Sequence, residues 1–132
     1  MKMRSVESPQ VRTPPPSTWS NCKVYGNQVF LSEITGRDLA GKVAGDGSMY
    51  AQSTCILEKI RHLIEAAGGR MNDIIKLTVY VTDIKQREEF WRARKEFFTG
   101  QFPCSTLVEV RALDAPAILI EIEAVGFIGA GE

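Results

Sequence analysis

Glu121 and Glu123 stand two residues apart in an isoleucine run, LIEIEA, and Glu109 and Arg111 stand two apart in a second such run, LVEVRA. Side chains alternate across a strand, so each pair shares one face. A carboxylate on a half-apolar face needs water, a cation or another subunit. Near a subunit interface its pKa rises, which suits moving a proton. The plainer use of these groups is an ion pair, Glu121 or Glu123 with Arg111 or with a neighbour's basic group. Cys104 is a possible nucleophile, but a reactive thiol needs an adjacent base or positive potential. His62, the single histidine, falls beside the apolar stripe of a different segment. Cys22, Cys55 and Cys104 are widely spaced with no C-x-x-C pair, so neither a disulfide framework nor a zinc site is expected. No motif asks for a cofactor, and the thiols suit a reducing, cytoplasmic setting.

The elements that must carry these groups are legible from periodicity. Thr106, Val108 and Val110 alternate with Leu107, Glu109 and Arg111, and Ile118, Ile120, Ile122 and Ala124 alternate with Leu119, Glu121 and Glu123. Asp114-Ala115-Pro116 separates the two strands as a turn. Upstream, Cys22–Tyr25 and Gln28–Ser32 flank Gly26-Asn27, a hairpin signal. Residues 33 to 47 hold four glycines and read as loop. Ser48 or Asp46 caps a helix that runs to about Ala67, with Met49, Ile56, Ile60, Leu63 and Ile64 on one stripe. Gly68-Gly69 closes it. Ile74–Thr82 is a strand and about Lys85–Phe98 a second helix, with Phe90, Ala93 and Phe97 inward.

The order β-β-α-β-α-β-β predicts an α/β fold, a two-layer sandwich with a mixed β-sheet and two helices on one face. Two helices leave the other sheet face bare, showing Tyr80, Leu107, Leu119 and Val125, which points to self-association. Residues 19–132 form a single domain. Residues 1–18, with Pro14 to Pro16, read as an extended, flexible arm. Sixteen basic and sixteen acidic side chains cancel, so no net field draws the chain to nucleic acid or an anionic membrane. No run is apolar enough for a membrane span, and the N-terminus lacks an apolar signal core.

FPCSTLVEVRAL followed by LIEIEAVGF resembles the C-terminal signature of the RidA/YjgF family of imine and enamine deaminases, close to FPARSCVEVARL and KIEIEAIA. LIEAAGGRMNDIIKLTVYVTDI and the EFF at Glu96 to Phe98 extend the resemblance from about Trp19 onward. It implies a homotrimer with small-molecule clefts between subunits. It also implies that Glu121 orients and polarises the water that attacks the C=N carbon.

The same resemblance places Trp19, Ser32, Glu33, Trp91, Cys104, Ser105 and Leu107 at or beside the substrate cleft. Several depart from the family pattern. Ser105 stands where an arginine holds the substrate carboxylate, and a hydroxyl cannot supply that charge-assisted fork. Trp19 replaces a tyrosine, Glu33 a glycine, Trp91 a small amide and Leu107 a cysteine. Glu33 would repel a small carboxylate, so 2-aminoacrylate is not the expected substrate. Arg37, Arg92 or Arg94 could substitute as an anchor. Besides an imine or enamine hydrolase, the residues allow a non-catalytic trimer that binds apolar metabolites or acts as a holdase. An endoribonuclease reading is weakened by zero net charge and a lone histidine.

Overall fold

The computed structural model describes residues 1–131. Eight-residue strands rich in β-branched side chains build the centre of one mixed sheet. The strands are β1 (Arg4–Ser5), β2 (Cys22–Tyr25), β3 (Gln28–Thr35), β4 (Ile74–Val81), β5 (Cys104–Glu109) and β6 (Ile120–Phe127), ordered β1-β2-β3-β6-β4-β5. Two helices, α1 (Met49–Ala66) and α2 (Arg87–Phe97), pack together, and α1 lies across β3 and β6. The expected two-layer α/β sandwich, with both helices against one sheet, is the observed architecture.

Local chemistry explains the boundaries. Ser48 caps α1, its Oγ accepting from Ala51 N at 3.1 Å. That satisfies one donor the first helical turn leaves open. Ile56, Leu57, Ile60, Leu63 and Ile64 are fully buried, facing Leu77, Val79 and Val81 of β4 and Ile120 and Ile122 of β6 in the same core. Each such side chain contributes about 1.5–3 kcal/mol on burial. Gly26 turns the β2–β3 hairpin with φ +61°, a conformation that favours glycine.

Three sequence expectations change in the folded chain. The strands on either side of Asp114 are not neighbours: β4 lies between them, parallel to β5 and antiparallel to β6. Residues 110–119 therefore cross over rather than form a hairpin. The β4–β5 register pairs Val79 with Leu107 and Tyr80 with Val108. This turns Leu107 to the helix side, packed against the core, and leaves Val108 40% exposed on the open face. The expected assignment of faces is thus reversed for β5, whereas Tyr80 and Val125 do lie on the open face. Leu119 also packs against the core, and β5 ends at Glu109, before Arg111.

The third change concerns residues 1–18. Arg4 and Ser5 pair with Val24 and Lys23, and the Arg4 guanidinium donates to the Ala67 carbonyl at 3.0 Å. Val6 and Val11 are each 5% exposed and belong to the core. Past Val6 the segment leaves the ladder, which its prolines cannot join, and the two valines anchor it on either side of Ser8. Removing residues 1–18 is expected to cost on the order of 3 kcal/mol from those valines alone, a melting-temperature drop of about 10 °C. An unchanged thermal midpoint would mean that the docked segment contributes nothing.

Candidate functional site

The docked N-terminal segment roofs a cavity of about 560 Å³, whose lining includes Val11 to Pro15, Trp19, Glu33, Arg37, Lys59, Asp114 and Glu121. A β-bulge shapes its floor. Leu31 pairs with Ala124 and Ile34 with Ile122, so Ser32 and Glu33 together oppose Glu123. The extra residue bends the strand and returns Ile34 to the core while Glu33 points to the cavity.

Glu121 sits where β6 begins, paired with Tyr80 on one side and Thr35 on the other. Alternation keeps it off the helix-side core, yet the cavity wall leaves it only 8% exposed. Its Oε2 accepts from Asp114 N at 3.3 Å. Burial pushes the carboxyl pKa above its ordinary value, Glu33 and Asp114 push the same way, and the Asp114 amide and Arg37 pull against them. The Arg37 guanidinium pairs with Asp114 Oδ2 at 2.8 Å and reaches the Gly41 carbonyl at 3.3 Å. Lys59 Nζ donates to the Thr35 carbonyl at 2.8 Å, and burial pulls its ammonium pKa down.

Within one chain the ion pairs expected for Glu121 and Glu123 do not form. Among the described residues neither Glu121 nor Glu123 lies within 4.0 Å of a basic group. Glu123 instead accepts from the Tyr80 hydroxyl, and Glu109 from Ile84 N at 3.1 Å.

The other residues singled out by sequence fall elsewhere. Ser32 is not in the cavity lining: its hydroxyl donates to the Ser20 carbonyl at 2.7 Å, and its amide to the Asn21 carbonyl at 3.0 Å. It therefore holds the strand against the segment that carries Trp19. Cys104 is exposed and lines a second cavity, about 330 Å³, with Phe102 and Ile75. Ser105 and Leu107 lie on edge strand β5, and Trp91 on α2 is 42% exposed beneath the Arg87 guanidinium. Of the candidate substitute anchors, Arg92 lies over the Tyr50 ring at 3.9 Å, and Arg94 Nη1 donates to Ser105 Oγ at 3.1 Å. A single chain thus gathers Trp19, Glu33 and Glu121 in one place and leaves Ser105 and Leu107 on edge strand β5 and Trp91 on α2.

Sequence reasoning passed over Lys59, Asp114 and Arg12. Lys59 had a signal: it interrupts the α1 stripe three residues after Ile56 and four before Leu63. Asp114 was legible only as a turn residue, and nothing local marked Arg12.

Chemically, the cavity offers a carboxyl poised to take or give a proton, with a backbone N–H on one oxygen and three cationic side chains, Arg12, Arg37 and Lys59, lining the same space. Among the described residues, no group of three His, Cys, Asp or Glu could hold a metal ion, and no helix is long and apolar enough to cross a membrane.

A two-layer sandwich with a lateral cavity at the start of the last strand defines a class of small α/β proteins. The sequence pattern of the family described as Endoribonuclease L-PSP matches residues 10–128, and the chain belongs to that family, also known as RidA/YjgF. It is 32% identical over 114 residues to a RutC family protein of Pyrococcus horikoshii, covering 86% of this chain and 89% of that one. It is 24% identical over 125 residues to a 2-iminobutanoate/2-iminopropanoate deaminase of Dermatophagoides farinae, covering 95% and 97%. The crystal structure of a Pseudomonas aeruginosa protein of unknown function superimposes with a TM-score of 0.88 at 34% identity, over 98% of this chain and 95% of that one.

Proposed function

We propose that this protein hydrolyses an imine or enamine in the Glu121 cavity. The observation that carries the reading is a carboxyl 8% exposed, its pKa raised by burial, at the wall of a space large enough for a small molecule. Water adds to the C=N carbon, and Glu121 accepts the water proton and returns it to nitrogen. The carbinolamine then collapses, expelling ammonia and leaving a carbonyl. The relative named as an iminobutanoate deaminase supports this reaction class. Ser105 in place of a cleft arginine argues for a substrate other than 2-aminoacrylate, and Trp19 and Glu33 give the site a different wall.

The proposal includes a homotrimer. Phe30 and Val108 stand 45% and 40% exposed on the helix-free sheet face, which favours packing against other copies. Trp91, Ser105 and Leu107 of one copy would then approach the Glu121 cavity of the next. Sedimentation should give three chains per particle; a monomer at micromolar concentration would remove the shared cleft. The exposed Trp19 also fits a non-catalytic binder of apolar ligands, which absence of turnover across a panel of imines would favour.

The test is ammonia release from a panel of imines as a function of pH. Turnover is expected to rise with pH as Glu121 ionises, through an apparent pKa above the ordinary carboxylate value. Arg37→Met removes a cation that favours the ionised form and leaves Asp114 uncompensated, so the rising limb should move to higher pH. A limb that stays in place would dissociate Glu121 from the rate.

A further inference from the structure

The crossover that feeds β6 is fastened at both ends and has few supports between them. Val110 N donates to the Val81 carbonyl at 2.8 Å, and Gln52 of α1 holds the Ala117 carbonyl and Leu119 N. Between those points, residues 111–116 have one bond to the crossover itself, Ile118 N to the Ala115 carbonyl at 2.9 Å. Among the described residues, hydrogen bonds tie that tip to other parts of the chain only through Asp114. Its carboxylate takes the Arg37 guanidinium at 2.8 Å, and its backbone N–H donates to Glu121 Oε2 at 3.3 Å.

Arg37 is the firm partner of the two. It bridges Val43, closing a turn in which Asp38 N donates to the Lys42 carbonyl at 2.8 Å. Its own side chain reaches the Gly41 carbonyl at 3.3 Å, and the preceding Gly36 lies tight against Gln52 of α1. The Asp114 side chain is 59% exposed, so it adds little packing and its role lies in what it holds. Glu121, by contrast, has no other hydrogen-bond partner among the described residues. Arg12, Glu33, Asp38 and Lys59 line the same cavity without bonding it, and its cross-strand neighbour Tyr80 gives its hydroxyl to Glu123. The orientation of this carboxyl depends on one amide, on a tip that one ion pair secures.

We propose that Asp114 is the positioning residue of the cavity: its ion pair with Arg37 holds the crossover tip so that its own amide occupies Glu121 Oε2 and leaves Oε1 to meet the attacking water. The effect on rate rests on the hydrolytic reading of the same cavity, whereas the clamp itself does not. A carboxyl fixed in one orientation spends more of its time competent for proton transfer.

Proton NMR of the full-length protein tests the clamp without requiring turnover. The residue 114 amide should shift as Glu121 ionises, because a charged acceptor strengthens the bond. Glu121→Gln should abolish that shift. Arg37→Met and Asp114→Ala should shrink it about threefold or more, whereas Arg37→Lys, which can still pair with Asp114, should keep most of it. The pH–rate profile is the second readout. Charge alone moves the rising limb in opposite directions, up for Arg37→Met and down for Asp114→Ala, and leaves the plateau reached with Glu121 ionised untouched. The clamp adds a fall in the kcat plateau of both variants, about three- to tenfold with KM unchanged, the scale of one hydrogen bond. A wild-type amide that ignores Glu121, or one that follows it undiminished in Arg37→Met, overturns the clamp. An amide response lost in Arg37→Met, with no imine turned over by wild type, leaves the clamp standing and sinks the hydrolytic reading. Turnover whose plateau survives in both variants sinks the clamp alone.

Discussion

Replacing Glu121 with glutamine is expected to cut turnover by roughly two to four orders of magnitude, the usual contribution of a general acid–base group. Glutamine keeps the size and can still accept the hydrogen bond from Asp114 N, so the cavity should persist. The loss should fall on kcat, because proton transfer belongs to the transition state. Stability should move the other way. The raised pKa means the folded state holds a proton the unfolded chain has already released. The stabilisation this gives is full below the unfolded pKa and is lost as pH rises through the folded one. At neutral pH wild type therefore carries a buried charge that the variant lacks. Glu121→Gln should melt no lower than wild type at pH 7, and any advantage should vanish in acid. If the variant dissociates into smaller particles while its activity per particle holds, Glu121 is a packing residue and the catalytic assignment fails.

The second large effect is expected at Gln52, which is fully buried in α1. Its Nε2 donates to the Gly47 and Ala117 carbonyls, both at 2.9 Å, and its Oε1 accepts from Leu119 N at 3.0 Å. One side chain thus ties the start of α1 to the crossover that delivers Glu121 into β6. Its backbone also lies tight against Gly36, where an added Cβ would come within 2.7 Å of the Gln52 Cβ. Gln52→Leu preserves volume but orphans two carbonyls and one amide. Each buried unpaired group costs about 1–3 kcal/mol, so a loss near 3 kcal/mol and a melting-temperature drop of about 10 °C are expected. Differential scanning calorimetry gives the answer directly; a drop below about 2 °C would show that water replaces the amide without penalty.

Much of the fold is written in local periodicity. Ser48 and the stripe from Met49 to Ile64 specify α1 because capping and a 3.6-residue repeat are satisfied within the segment. Ile120, Ile122 and Ala124 specify the buried face of β6 for the same kind of reason. The candidate site was only partly legible. Glu121 could be placed opposite the core by alternation, and Glu33 and Trp19 by resemblance. The Glu33 bulge, by contrast, depends on which β6 residues oppose it.

What the chain alone determined is therefore the two helices, the strands from Cys22 onward and the inner and outer faces of the central ones, since a wrong face would bury charge. Strand β5 shows where that determination ends. Read as running on to Arg111, it showed an apolar Thr106, Val108 and Val110 face, so alternation put Leu107 on the open side. The strand ends at Glu109, and over that shorter length its two faces differ little in polarity. The parallel register with β4, Val79 opposite Leu107, made the choice. Residues 1–18 show the same boundary: valines spaced among prolines carry no period, and only the groove beside β2 turns Val6 and Val11 into core. The meeting of Arg12, Lys59, Asp114 and Glu121 around one cavity joins four distant parts of the chain. That proximity is a product of packing, because no local pattern records which separate segments the burial of apolar surface will bring together.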